Sequence, residues 1–593
     1  MDDPGEADIP QTVSPPYNPS SLVANTLVFI PLALVALLGL LRLPRALARF
    51  HRLSEWTSGH WLRHSHYTGP YVALSYAHSQ SQEKFRTPAY PTVTYNEWAT
   101  RDTSAWPPHV VPLPQFLSPI ASLFHTRILP GFSLVQLSLY LIWVSLVGYA
   151  AIYRSSGPFT NTERFGYITI SHIPFIVALA NKNGLIVIFL GISYEKVNFL
   201  HRFIARVALV AAHLHAFGFF YKWAINDVFA ENMSQKNNIC GLGMLLTIDV
   251  MFLLSLAPIR KHAYQVFYYS HLIGFSVLLV FMINHNRETI LPYFAVIVSL
   301  YAINKILSAA KTRYTEAIIR PLPELESTRI EIPALNAGWR AGQHVRLQII
   351  SSAMGVLGWT ETHPFTIASA SRTNEGIILI CRKRGSWTKR LFAVACDAQV
   401  EAGLVKKVKV LVDGPYGGPG LKMFNSFSAA LFIVGGSGIS YALGAASELI
   451  QKGLKGQSRV QVIDVIWLVP DINSVKPLIP QFLTMLQQCP SLTISVHYTR
   501  STAITPPKYL IDQISAQPWL ALNPGRPGLV NAMEGLIGRA TSGSPRSSVC
   551  GLLVGVCGPM SLADDVRKSV NIVDPGLRDK IGGIEVAEET FGL

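Results

Sequence analysis

Seven stretches of nearly unbroken apolar residues fall at about 22–42, 133–153, 167–187, 203–222, 240–257, 265–284 and 289–308. Each approaches the roughly 20 residues a helix needs to cross a hydrocarbon core, which predicts membrane helices. The third is the weakest, because Asn181-Lys182-Asn183-Gly184 interrupts it. After about 312 the period changes. Ala317-Ile318-Ile319, Thr328-Arg329-Ile330-Glu331-Ile332 and His344-Val345-Arg346-Leu347-Gln348-Ile349 alternate as strands do, between Pro- and Gly-containing turns, and predict a small antiparallel barrel. From about 426, buried-strand runs alternate with helical stretches, the pattern of an α/β sheet. The predicted architecture is an N-terminal segment 1–21, an additional transmembrane helix 22–42, a loop 43–132, six helices over 133–310, a β-barrel over 311–425 and an α/β domain over 426–593.

Composition fits this division. The 593 residues are 49% hydrophobic and only 14% charged, with mean hydropathy +0.30. The net charge of +15 is distributed by topology. Arg45, Arg49, Arg52, Arg63, Lys84, Arg86, Arg101 and Arg127 crowd 43–132, and Arg260, Lys261, Lys311 and Arg313 lie at later helix ends on the same side. The opposite loops hold only Arg154, Arg164, Lys236 and Arg287. By the positive-inside rule, 43–132, the stretch before His201, the Pro258–Tyr264 turn and the C-terminal half face the cytosol, with the N-terminus outside. The charge then requires no nucleic-acid partner. The sequon Asn232-Met233-Ser234 falls on the outer side. An acidic, Pro-rich stretch replaces a basic n-region before the first span, which predicts a retained anchor over a cleaved signal. Six cysteines lack paired ligand spacing, which fits a reduced compartment and neither a disulfide framework nor a zinc site.

Four histidines carry the chemistry of the membrane half. His201 and His215 lie in one span, His271 and His285 in another, each pair fourteen positions apart. That spacing sets two imidazoles ~21 Å apart along a helix and within ~40° of one face. Two such helices running the same way present His201 to His271 near the cytosolic side and His215 to His285 near the outer side, as axial ligands for two stacked haems. His213 lies ~120° round the helix from His201 and is the weaker ligand candidate. Arg202 and Arg206 are placed to pair with haem propionates or to snorkel to the inner interface.

In the soluble half, His363-Pro364-Phe365-Thr366-Ile367-Ala368-Ser369 puts an aromatic and a hydroxyl on two sides of a short strand. Arg382-Lys383-Arg384-Gly385-Ser386-Trp387-Thr388 runs from a basic strand end through a Gly-Ser turn into a helix N-terminus, which suits a pyrophosphate.

These motifs together resemble the fungal ferric reductase transmembrane component family, within the superfamily that also contains the NADPH oxidases. The resemblance covers most of 130–593. It implies that the barrel binds FAD, with Phe365 on the isoalloxazine, Thr366 near its reactive nitrogen, and His363 and Pro364 completing the motif. It also implies that Arg382, Gly385, Ser386, Trp387 and Thr388 form the flavin phosphate region. Ala429–Val434 ends in Gly435-Gly436-Ser437-Gly438-Ile439-Ser440, a turn that lets backbone amides approach a dinucleotide phosphate, here NADPH. Gly414, Pro415 and Gly417 of Asp413-Gly414-Pro415-Tyr416-Gly417 precede that strand. By resemblance, Cys557, Gly558 and Pro559 border the nicotinamide, and Phe591 covers the flavin until nicotinamide displaces it. Arg500 and Arg526 are the candidates for the 2′-phosphate, although Pro470-Asp471 occupies the place where relatives often carry a basic residue.

The implied activity is an NADPH-dependent ferric-chelate reductase. Electrons pass from NADPH through FAD and two b-type haems to external Fe(III) or Cu(II) chelates, for metal uptake. The alternative is an NADPH oxidase that reduces dioxygen to superoxide; the equal fourteen-position spacing of the histidines in both helices, the extra N-terminal span and the long inner loop favour metal reduction. A channel or receptor retaining the fold is a third class, disfavoured by the intact cofactor motifs. The implied partners are NADPH, external or lumenal ferric chelates, the bilayer and a downstream iron permease or ferroxidase system, and the implied location is the plasma membrane, or the vacuolar one. The cluster His51, His60, His64 and His66 reads as part of a solvated membrane-surface loop more than a metal site. Asp227, Glu231, Asn284 and Asn286 are the outer polar candidates near the acceptor.

Overall fold

The computed structural model describes residues 19–66, 98, 106–111, 123–124, 126–129, 131–155, 157, 160–355, 357–402, 406–500, 519–542 and 549–590. The chain forms two units, 1–40 with 135–190 and 194–304, and 41–134 with 191–193 and 305–593.

The helices are α1 (Pro19–Phe50), α2 (Leu134–Ile152), α3 (Thr162–Ala180), α4 (Asn198–Ile225), α5 (Lys236–Leu254), α6 (Tyr264–His285) and α7 (Arg287–Lys311). Among the described residues, six of these are long and apolar enough to cross a membrane, α3 being the exception. The third expected span, 167–187, has different bounds in the structure, Thr162–Ala180. The helix stops at Ala180, Asn181 turns extended, and a separate short helix begins at Leu185. The physical reason is that α3 faces protein. One side packs with Met282, Ile290 and Ile297, the other with Val23, Leu27, Ala150 and Ala211. Its polar residues find partners there: buried Arg164 donates to the carbonyls of Ala150 and Tyr153, and His172 Nε2 accepts from the Trp143 indole at 3.0 Å. The first helix also runs on to Phe50, eight residues beyond the expected 42.

The second unit contains two six-stranded sheets. In the first, β1 (Arg313–Leu322), β2 (Ser327–Ile332), β3 (Gln343–Ile350), β4 (His363–Thr366), β5 (Ile377–Arg382) and β6 (Lys406–Gly417) are all antiparallel, in the order β4-β3-β6-β1-β2-β5. Helix α8 (Ser386–Ala402) follows β5 and caps its core with Trp387, Leu391 and Val394. The alternation that predicted these strands is the burial alternation of β3, whose Val345, Leu347 and Ile349 all point inward.

The second sheet is wholly parallel. Its strands β7 (Ala429–Gly435), β8 (Val462–Val469), β9 (Leu492–Tyr498), β10 (Leu520–Pro524), β11 (Leu552–Gly558) and β12 (Ile584–Thr590) lie in the order β10-β9-β8-β7-β11-β12. Helices α9 (Ile439–Leu454), α10 (Ile479–Gln488), α11 (Leu529–Thr541) and α12 (Met560–Ile572) supply the crossovers. Covered on both faces, the central strand β7 is buried at every position from Ala429 to Val434, hence its continuous apolar run.

One expectation is refined here and one changes. The Asp413–Gly417 motif precedes β7 as expected, and it belongs to the barrel. It is the end of barrel strand β6, where Gln343 pairs with Gly417 and His344 with Tyr416 before a register shift. The stretch 43–132, by contrast, is not a solvated loop where it is described. Leu62 sits in the barrel core, Arg63 bridges to Ala337, and Trp98 lies in the core of the parallel sheet with its indole donating to the Gln461 carbonyl.

Candidate cofactor and electron-transfer sites

In the bundle, α4 and α6 bring the four histidines together in the predicted register. The His201 and His271 ring centroids are 6.5 Å apart, and those of His215 and His285 are 6.4 Å apart. An imidazole nitrogen binds a first-row metal at about 2 Å and lies about 1.1 Å from its ring centre, so two axial rings on one iron stand about 6.3 Å apart. Both pairs are therefore spaced to hold one metal ion each, as a haem iron would require. Three of the rings are also oriented from behind. The Nδ1–H of His201 donates to the Ile176 carbonyl at 2.8 Å, that of His215 to Thr162 at 2.9 Å and that of His285 to Asn237 at 2.7 Å. A carbonyl can only accept, so the proton sits on Nδ1 and Nε2 keeps its lone pair for a metal. His271 Nδ1 has no hydrogen-bond partner among the described residues. His213 points elsewhere, to Asp249 at 3.4 Å. Arg202 and Arg206 are both exposed.

Space accompanies the ligands. A cavity of about 470 Å³ opens between α3, α4, α5 and α6, lined by His215, His285, Tyr167, Trp223 and Asn237 among others. Glycines let the helices close on the rings. A Cβ on Gly166 would fall 2.7 Å from the His215 ring, and one on Gly241 equally close to His285.

In the barrel, β4 places Pro364 exposed, Phe365 half-buried and Thr366 buried. Trp387, only 3% exposed, underlies them. Its ring stacks at 6.0 Å on Phe365 and lies 4.5 Å from His363, and its indole donates to the Gly358 carbonyl at 2.9 Å. It supports the β4 motif from below. Burial lowers the His363 pKa despite a 2.9 Å contact to Glu361, which the sequence reading missed because nothing in its pattern marks it. Gly385 and Ser386 are exposed at the N-terminus of α8, and the Thr388 hydroxyl accepts from the amides of Arg384 and Gly385. Exposed Arg382 reaches the Gly435–Gly438 turn, its guanidinium 3.2 Å from where a Gly436 Cβ would stand. Gly414 and Pro415 are buried and Gly417 half-buried at the end of β6.

The turn after β7 packs against the end of β11. A Cβ on Gly438 would overlap the Cys557 carbonyl, so only glycine fits. Ser437 is exposed, whereas Ile439 and Ser440 are buried at the start of α9. Trp467, fully buried on β8, donates its indole N–H to the Gly436 carbonyl at 2.9 Å and fixes the turn's shape. Its signal in the sequence was a large aromatic with a polar edge inside a buried strand. Cys557 is buried too, and burial followed by Glu589 pushes its thiol up, so it is a neutral group. Gly558 and Pro559 follow it at the open carboxyl end of the sheet. At that same end Arg500 and Arg526 are exposed on adjacent loops, tied by Arg500 N–H to Pro470 O at 3.1 Å and Gly525 N–H to Tyr498 O at 3.0 Å. Ligands of open α/β sheets bind outside these strand ends. Phe591 lies outside the described residues.

An apolar helix bundle in one unit, and in the other an antiparallel barrel followed by a parallel sheet with a Gly turn at its strand ends, are the layout of a membrane protein that carries a dinucleotide-binding module. Three family profiles match in that order: "Ferric reductase like transmembrane component" over 165–282, "FAD-binding domain" over 323–420 and "Ferric reductase NAD binding domain" over 427–571. The chain belongs to the ferric reductase transmembrane component family. It is 24% identical over 485 residues to ferric reductase transmembrane component 6 of Saccharomyces cerevisiae, covering 77% of this chain and 64% of that one. It is 26% identical over 324 residues to ferric/cupric reductase transmembrane component 7 of the same yeast, covering 52% and 49%. The chain thus spans about half to two thirds of the length of these curated relatives. Among solved structures, a ferredoxin NADP+ reductase from Neisseria gonorrhoeae with bound FAD and NADP aligns at 15% identity and TM-score 0.29, over 46% of this chain and 98% of that one.

Proposed function

We propose that this protein is a transmembrane metalloreductase, an oxidoreductase that takes electrons from cytosolic NADPH and delivers them to Fe(III) or Cu(II) chelates across the membrane, for metal uptake. The observation that carries the reading is the two imidazole pairs at 6.5 and 6.4 Å in one bundle, each spaced for an iron. The printed names of the relatives, ferric and ferric/cupric reductase, support a metal ion as acceptor.

FAD, when bound, accepts a hydride, and b-type haems accept single electrons, so the cofactors supply the redox chemistry. The chain's residues bind and orient. Phe365 and Thr366 hold the flavin ring, with Trp387 as floor, and Arg382 with the Gly385–Thr388 helix start holds its phosphates. The Gly435–Ser440 turn takes the NADPH pyrophosphate, Arg500 and Arg526 take the 2′-phosphate, and the neutral Cys557 borders the nicotinamide without acting as a base. His201 with His271, and His215 with His285, would hold the two haem irons. The basic residues of 43–132 support a cytosolic soluble half.

The test is NADPH-dependent reduction of a Fe(III) chelate and of dioxygen, measured side by side on purified protein in lipid nanodiscs. Ferrous product in excess, two b-type haems per chain, and loss of both outer haem and ferric reduction in His285→Ala are expected. Superoxide as the dominant product overturns the metal assignment in favour of an oxidase, and absence of a b-type spectrum overturns the electron path itself.

A further inference from the structure

Strand β12 is an edge strand, with β11 as its one strand neighbour among the described residues. An edge strand, bonded along one side, frays unless something holds it. Yet β12 sets a position that matters, because its register places Glu589 opposite Cys557.

What holds it comes from the segment before α2. Glu585 and Glu588 are three residues apart on a strand and so point to opposite faces. On one face, Glu585 receives Arg45 at 2.7 Å, His109 at 3.0 Å and Lys422 at 3.0 Å, with its side chain only 14% exposed. Lys422 also donates to the Val586 carbonyl at 2.7 Å. On the other face, Glu588 receives Arg127 at 2.8 Å and Arg567 at 2.7 Å, and Arg127 makes a second pair with Asp564 of α12 at 3.1 Å. The partners of the strand are themselves anchored. His109 stacks on Phe427 at 3.9 Å, and Arg45 donates to the Val110 carbonyl. Three residues from one stretch of chain, Arg45, His109 and Arg127, thus grip both faces of a strand more than four hundred positions away.

We infer that this stretch is an intramolecular clamp on β12, and that Arg127 and Arg45 are positioning residues for hydride transfer, acting through the placement of Glu589 beside Cys557. The inference rests on the reading of Cys557 as the residue at the nicotinamide. It assigns work to the part of the chain that no cofactor motif occupies. Neither arginine belongs to a cofactor motif, so the effect passes through strand position. Misplacement of reacting groups by about 1 Å costs up to about a hundredfold in rate.

The test compares the holoprotein in nanodiscs with Arg127→Gln, Arg127→Lys, Glu588→Gln and the double variant R127Q/E588Q. In R127Q, hydrogen exchange of the β12 amides accelerates at least tenfold, about the effect of losing one buried charge-assisted bond. The limiting rate of anaerobic flavin reduction by NADPH falls about tenfold, whereas FAD content and the half-saturating NADPH concentration hold. R127K recovers both readouts, and the double variant is no slower than the worse single one. Parental β12 exchange in R127Q overturns the clamp, as does a parental limiting rate. Loss of FAD from R127Q also overturns it, because the arginine would then be supporting the barrel. If the unmodified holoprotein oxidises no NADPH, the proposed function fails, and the exchange arm still decides the clamp.

Discussion

Gly241 on α5 stands against the imidazole of His285 on α6, and a Cβ there would lie 2.7 Å from the ring. A helical glycine ordinarily costs about 0.5–1 kcal/mol relative to alanine, so Gly241→Ala would stabilise an isolated helix. Here overpacking, at about 1–3 kcal/mol, outweighs that gain and pushes the ring off its bond to Asn237. The variant is expected to fold, keep the inner haem and lose the outer one. The b-type difference absorbance per chain should halve, with ferric-chelate reduction falling at least tenfold. Full haem content in Gly241→Ala would show that the close approach serves packing alone.

Arg500 and Arg526 are the exposed cations at the ends of β9 and β10. If they meet the 2′-phosphate, each supplies a charge-assisted bond worth about 1.5–3 kcal/mol, a ten- to hundredfold change in affinity. Arg500→Ala and Arg526→Ala should raise the KM for NADPH by about that factor and leave the KM for NADH unchanged. Equal losses with both nucleotides would place these arginines in domain structure instead.

Glu55, buried at 4% exposure, is held by Arg49 at 3.5 Å, Arg340 at 3.6 Å and Lys452 at 3.9 Å. Burial alone would raise its pKa, but the three cations outweigh burial and hold it below the ordinary carboxylate value. Glu55→Gln leaves those cations without their shared anion, which typically costs about 3–5 kcal/mol. Arg49 and Arg340 keep their bonds to backbone carbonyls, so the lower figure applies. The temperature of FAD release should drop by several degrees, and an unchanged release temperature would refute the bracket.

The cofactor-bearing elements were legible because each rests on a local pattern. A fourteen-residue repeat of histidine places four rings without knowledge of any loop, and a buried apolar run ending in glycines marks β7 and its turn. What escaped was carried by distant partners. The polar residues of α3 gave a poor span because they are satisfied by Trp143 and by carbonyls of α2, not by lipid-facing apolarity. The stretch 43–132 looked like surface because its lone tryptophans and arginines have no period. Trp98, Arg45 and Arg127 acquire meaning only through Gln461, Glu585 and Glu588, more than three hundred residues on.

Glu375 beside β5 makes the barrel's stability fall with rising pH. Burial pushes its carboxyl from 4.5 up to about 8, with Arg329 pulling the other way and Glu331 adding to the rise. In the folded protein the group stays protonated up to about pH 8, whereas in the unfolded chain it ionises above 4.5. Between those values the unfolded state binds fewer protons, so stability declines as pH rises, by at most about 1.4 kcal/mol per pH unit. Below 4.5 the group contributes no slope, and above about 8 the loss is complete. Glu375→Gln keeps a neutral side chain at every pH and should remove this decline, making the variant the more stable protein at pH 7.5 and equal to the parent near pH 4.5. FAD-release temperatures of parent and variant across that range provide the check. Parallel curves would mean that the Arg329 contact at 3.6 Å keeps Glu375 ionised in the native barrel.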